Sequence, residues 1–178
     1  MGCAAQIAIA KAALAADPSQ VSQPDARNAL PLLAAVKGKQ LAIAEALLAA
    51  GADVDQAALD EGSEAGYTAA HFAARLGDVF ALQLLRKFGA NFDKPAADGW
   101  RPLHCCCFTG KGDALRALVD AGADVNTANK FGLTPLAFAA NHGRAGDCRL
   151  LIRSGASLST TDESGDSILH HALHFRMC

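Results

Sequence analysis

The sequence predicts an all-α solenoid of stacked helix pairs, and three observations lead there. Of its 178 residues, 40 are Ala and 22 are Leu, against 6 Val and 5 Ile. Ala and Leu lose little side-chain freedom in a helix, whereas strands favour β-branched and aromatic residues, and aromatics make up only 6% here. Two independent sets of matching segments recur at a period of 33 residues. Gly and Pro fall at fixed places within that period, where helices stop and start.

The first set comprises Leu47–Val54, Leu84–Phe92, Leu118–Val125 and Leu151–Leu158, whose glycines lie at 51, 89, 122 and 155. The second comprises Leu30-Pro31-Leu32-Leu33, Thr68-Ala69-Ala70-His71, Arg101-Pro102-Leu103-His104, Thr134-Pro135-Leu136-Ala137 and Ser167-Ile168-Leu169-His170. Spacings are 38, 33 and 33 in the first set and 38, 33, 33 and 33 in the second, so both markers keep one register. Such periods are the signature of repeat architectures, in which one unit cannot bury its own apolar face and stacked units bury a shared one.

The elements follow in chain order. Residues about 4–16 supply one outer helix of a leading half unit, 1–24, in which Val21 aligns with Val54 and Val125. Full units follow at about 25–62, 63–95, 96–128 and 129–161, and 162–178 carry a partial fifth. Within each, Pro or its equivalent opens a short inner helix, since the first turn has no use for the missing N–H. In the third unit this helix spans about 101–109 and ends near Gly110; an outer helix of about 112–121 stops at Gly122. An extended Ala-Asp-Val-Asn stretch then turns through a Gly into the next unit.

Residues Gly66–Gly77, and Gly132–Pro135-Leu136 through Gly143, each with its Gly-Ala tail, resemble the ankyrin-repeat family. The resemblance covers about 25–178. It implies a β-turn hairpin plus two antiparallel helices per repeat, four full repeats between the half repeat and the truncated last one, and a curved solenoid that usually binds other proteins. Departures are local. Lys39 stands where the others have Gly77, Gly110 and Gly143; five extra residues lie within Asp55–Gly62; Ala69 replaces Pro, and Ala137 replaces His. The last unit has only its first helix, so an apolar face is expected to lie open there.

Chemistry is sparse. Cys105, Cys106 and Cys107 invite a metal or redox role, but they align with Phe72 and Phe138, with Ala73 and Ala139, and with Ala74 and Ala140, which are packing slots. Cys148 likewise replaces Leu82 and Leu115. All four are expected to be mostly buried, reduced and free of metal. Three consecutive helical residues point about 100° apart and cannot converge on one ion. The resemblance makes His71, His104 and His170 structural, bonding neighbouring backbone. His170, His174 and Cys178 at i, i+4, i+8 are too extended for one ion. Met1-Gly2-Cys3 suggests acylation, yet Gln6 stands where Ser or Thr is wanted. The stretch from Leu118 to Asn126 is similar to repeat segments hydroxylated on Asn, though Asn126 reads better as a turn residue.

The charge is −2 with no block of like sign, which argues against nucleic acid. No uncharged apolar run reaches 18 residues, so no transmembrane segment is expected. Six cysteines without a leader pattern suggest reduced thiols in a cytoplasmic or nuclear protein. Neither a cofactor, a small-molecule substrate nor an enzyme activity is expected. The reading is a protein-interaction module; a regulatory or targeting segment of a larger enzyme, or a spacer without a specific partner, are the alternatives. In ankyrin modules partners usually meet the hairpin tips and inner-helix ends. That places the candidate surface at Tyr67, Arg75, Trp100, Phe108, Phe131, Leu133 and His142, centred on the only Trp.

Overall fold

A computed structural model describes residue 17 and residues 21–25, 29–59 and 62–174. The leading helix expected at about 4–16, the acylation motif at Gly2 and Cys3, and Cys178 lie outside the described residues. Within them the chain forms α1 (Pro31–Lys37), α2 (Leu41–Ala49), α3 (Ala69–Leu76), α4 (Val79–Lys87), α5 (Pro102–Thr109), α6 (Gly112–Asp120), α7 (Pro135–Asn141), α8 (Ala145–Arg153) and α9 (Ile168–His174). No strand is present among the described residues; one isolated bridge joins Thr161 and Ser167. The architecture is an all-α repeat solenoid of paired, stacking helices.

Inner helices α1, α3, α5, α7 and α9 pack in sequence, and outer helices α2, α4, α6 and α8 pack in a second row behind them. The core runs between the rows. Leu85, Leu115, Leu118 and Leu151 of the outer helices meet Leu32, Leu103 and Leu136 of the inner ones, with Ala70, Ala73, Cys106 and Ala139 letting backbones approach. Cys105, Cys106 and Cys107 are fully buried and unpaired, as their alignment with packing slots predicts, whereas Cys148 is only half-buried. Burial pushes the Cys105 thiol up to about 12 and holds Cys106 and Cys107 well above the ordinary thiol range, so these sulfurs stay protonated and unreactive at neutral pH.

Between pairs the chain turns at the tips. Ala96 N–H donates to Trp100 O (2.7 Å) and Asn129 N–H to Leu133 O (3.0 Å), closing each turn. Successive tips are stitched together by Ala97 N–H to Ala65 O, Lys130 N–H to Asp98 O (both 3.0 Å) and Glu163 N–H to Phe131 O (3.2 Å). Gly99 shows why the tip needs glycine: its φ is +81°, and a Cβ there would lie 2.8 Å from the Lys130 nitrogen. Behind the tips, a carboxylate or amide from each unit caps the next. Asp55 accepts from Asn91 N–H (3.0 Å), Asp93 from Asp124 N–H (2.9 Å) and Asn126 from Ser157 N–H (2.8 Å). Asn126 also donates to Gly155 O at 3.0 Å, the structural role expected of it.

The histidines tie inner helices to the neighbouring tips. His71 Nδ1 accepts from Thr68 N–H (3.1 Å) and its Nε2 donates to Trp100 O (3.0 Å). His104 repeats this with Arg101 N–H and Leu133 O, both at 3.1 Å. Because Nδ1 accepts, the neutral ring carries its proton on Nε2, aimed at a carbonyl one unit ahead. His170 keeps the local half of this pattern, accepting from Ser167 N–H at 3.0 Å, but its ring is exposed. On the same helix Leu169 is 73% exposed, although the aligned Leu103 and Leu136 are buried.

Candidate functional site

The inner-helix face and the adjoining tips carry the large side chains, because the stacking positions are taken up by Ala, Leu, Gly and Cys. The last helical turns of α1, α3, α5 and α7 place Lys37, Arg75, Phe108 and Asn141 at one aligned position, in a row across the face. One turn earlier lie Phe72, Cys105 and Phe138, in the slot next to the tips.

Over α1 and α3 the covering is ionic. Glu64, on a tip, pairs with both Lys37 and Arg75. The Lys37 ammonium sits 4.2 Å from the Phe72 ring centroid and the Arg75 guanidinium 5.1 Å from it, a cation–π lid over a fully buried ring. Partial burial works to raise the Glu64 carboxyl, but hydrogen bonds and charge from Lys37 and Arg75 outweigh it and hold it below the usual carboxylate range.

Over α5 and α7 the covering is aromatic. Trp100 lies 4.8 Å from Phe138 and 5.4 Å from Phe108, the latter edge-on. Phe108 meets the His142 ring edge-on at 5.2 Å. Tilted and edge-to-face rings are the arrangements that ring quadrupoles favour. Phe108 stays 47% exposed, and Phe131, on the following tip, 58%.

The candidate residues therefore separate. Trp100 and Phe108 come together on Phe138, and His142 packs on Phe108; from the sequence Phe138 reads as packing alone, with its alignment to Phe72 as the available signal. Leu133 is half-buried against the core, and Phe131 stands apart on its tip. Tyr67 does not project outward as an aromatic tip residue was expected to. It is only 6% exposed, stacked on His71 at 4.9 Å and against Phe72 at 5.6 Å. Burial drives its phenol well above the normal range. The ring lies on the histidine beneath it and beside the small Cys105, whereas the aligned Trp100, also over a histidine, meets Phe138.

Between the ionic and aromatic halves lies an open pocket of about 290 Å³, walled by Tyr67, Arg75, Asp98, Trp100, Cys105 and Phe108. A groove of about 350 Å³ runs on the opposite side between α4 and α6, lined by Leu82, Arg86, Asp113 and Arg116 among others. The outer helices expose Phe80, Leu41 and Ile152, each on a different helix. Among the described residues no group of three or more His, Cys, Asp or Glu side chains is placed to hold a metal ion. No helix among them is long and apolar enough to cross a membrane.

Two family models match the chain. One, described as ankyrin repeats (3 copies), covers residues 32–129; the other, ankyrin repeats (many copies), covers 118–172. No curated protein matches the chain.

Proposed function

Because this chain belongs to the ankyrin-repeat family, whose domains are non-catalytic protein-interaction modules, we propose that it binds a partner protein through the tips and inner-helix ends of the units at 63–95, 96–128 and 129–161. Those units form part of a series that begins with a half repeat at 1–24 and a unit at 25–62 and ends with a partial one at 162–178. The tips are the hairpins of the repeat, without ladder strands of their own.

One observation carries this reading. Trp100 and Phe108 pack on Phe138 on the inner face and His142 packs on Phe108, which stays about half exposed. Stacking needs small and aliphatic residues at fixed positions but no large aromatic at a helix end. A half-exposed Phe108 set between the Trp100 and His142 rings carries a solubility risk that binding would explain. Aromatic and Arg anchors are also the side chains on which interface energy concentrates. Arg75, Phe131 and Leu133 surround this centre, and Tyr67 serves as an inner wall. A cytoplasmic or nuclear setting fits a chain whose buried cysteines remain thiols.

The test compares Trp100→Ala with Arg116→Ala, which alters the outer groove. Both variants should keep the helical circular dichroism of the parent. Trp100→Ala should weaken partner binding by about 2 kcal/mol, roughly thirtyfold, and Arg116→Ala should leave it unchanged. Normal binding by Trp100→Ala, with loss in Arg116→Ala, would place the interface on the outer helices instead.

A further inference from the structure

We infer that the pocket beside Cys105 receives an aromatic side chain, Tyr or Phe, from the partner protein; the inference rests on the interaction reading above and names what the partner must supply. The argument is one of register. Phe138 packs against the tip residue and the helix-end residue of the unit before it, Trp100 at 4.8 Å and Phe108 at 6.4 Å. One unit earlier the same slot holds Cys105, and the corresponding neighbours are Tyr67 and Arg75. In the unit before that, Phe72 fills the slot against Tyr67, Lys37 and Arg75. The row of rings thus reads Phe, Cys, Phe, and the open pocket of about 290 Å³ lies where the middle ring is missing. A cavity of about 150 Å³ already holds a benzene-sized ring.

The polar groups select the chemistry of the occupant. Arg75 and Asp98 both line the pocket. Arg75 is paired with Glu64, while Asp98 accepts Trp100 N–H at 3.0 Å and has no ion-pair partner among the described residues. The Arg75 charge is answered by Glu64, so the pocket keeps one open acceptor, Asp98, at its edge and flat ring faces elsewhere, which suits a ring that can carry a hydrogen-bond donor. A flat ring can stack or tilt against Tyr67, Trp100 and Phe108, as these rings already do with their neighbours. A phenol adds a hydroxyl that can donate to Asp98. Cys105 itself contributes space rather than reactivity, since its thiol is buried and stays protonated.

Trp100 is the only tryptophan, so its indole N–H signal in a nitrogen–proton correlation spectrum reports on the pocket wall directly. Titration of the full chain with p-cresol, a tyrosine side-chain mimic, should move that signal and the Cys105 amide signal saturably, and n-butylammonium should not. Cys105→Phe installs the residue the flanking units carry and should fold with an unchanged or higher melting temperature, yet lose the p-cresol response. Peptides selected from a random library on the wild-type chain should share one aromatic position and bind Cys105→Phe at least about tenfold more weakly. The inference is overturned if p-cresol leaves both signals in place, if n-butylammonium is the stronger ligand, or if Cys105→Phe responds like the parent. Should that variant fail to fold, the two wild-type titrations decide. Failure here alongside weakened partner binding by Trp100→Ala would discard the pocket and keep the interaction face; no effect in either experiment would discard both.

Discussion

Phe72 and Phe138 occupy the same position of two inner helices, and both are buried, yet the molecule covers them by opposite means. Lys37, Arg75 and the bridging Glu64 close over Phe72. Trp100 and Phe108 close over Phe138. The ionic lid satisfies itself: each cation has a carboxylate and a ring face, and little apolar surface is left over. The aromatic lid covers its ring by exposing others, with Phe108 open to solvent and His142 propped against it. One slot in one fold thus yields a finished surface at one end and an unfinished one at the other. Stacking covers both rings, but only the aromatic lid leaves one of its own rings half exposed.

The comparison can be tested most severely at the rings themselves. Phe72→Ala and Phe138→Ala should each cost about 3–5 kcal/mol in denaturant unfolding, the usual range for a fully buried aromatic. Their effects on Trp100 should differ. Phe138→Ala removes its nearest ring and should shift its fluorescence, and Phe72→Ala should not. Equal shifts would mean that the two lids are not separate.

Acid should act on both halves alike, because His71 and His104 share one mechanism. Burial, outweighing the hydrogen bonds their rings make, depresses each to about 4, against an unfolded value near 6.5. A depressed folded value means the unfolded chain binds more protons as pH falls. Stability is therefore full above about pH 6.5 and is lost between about 6.5 and 4, by up to about 3 kcal/mol for each ring. Ring-proton shifts of both histidines should stay flat from pH 8 to 5. A midpoint near 6.5 at either would contradict the burial.

A smaller difference sits at the end of α1. Lys39 adopts a φ of +53° where Gly77, Gly110 and Gly143 make the same turn. A side chain in that region costs about 1 kcal/mol, so Lys39→Gly should raise stability by about that much. The smallest effect is expected at the ionic lid. Glu64→Gln should cost less than about 1 kcal/mol, and high salt should erase the difference, since these are partly exposed pairs. A salt-independent loss would show the lid to be a tighter structure than its exposure implies.

Much of the fold was legible because repetition turns one sequence into several aligned readings. The 33-residue register located each helix of the third unit to within a residue or so, with α5 at Pro102–Thr109 and α6 at Gly112–Asp120. It also assigned Cys105, Cys106 and Cys107 to packing, and it flagged Lys39 as out of pattern before its positive φ was known. The candidate surface was legible only in part. Trp100, Phe108 and His142 stand out as bulky residues at positions that stacking leaves free. The inward turn of Tyr67 does not, because it depends on which residue of the next unit fills the space beside the ring, Cys105 for Tyr67 and Phe138 for the aligned Trp100.

The division follows from range. Helix starts, stops and glycine turns are set by propensities and steric limits within a few residues, so the sequence alone determined the solenoid, its period and its small-residue core. The covering of Phe72 and Phe138, the bridging of Glu64 to two helices and the pocket above Cys105 depend on contacts between residues one unit or more apart. In each, a side chain's environment is supplied by a different repeat, and only the stacked structure decides which side chain that is.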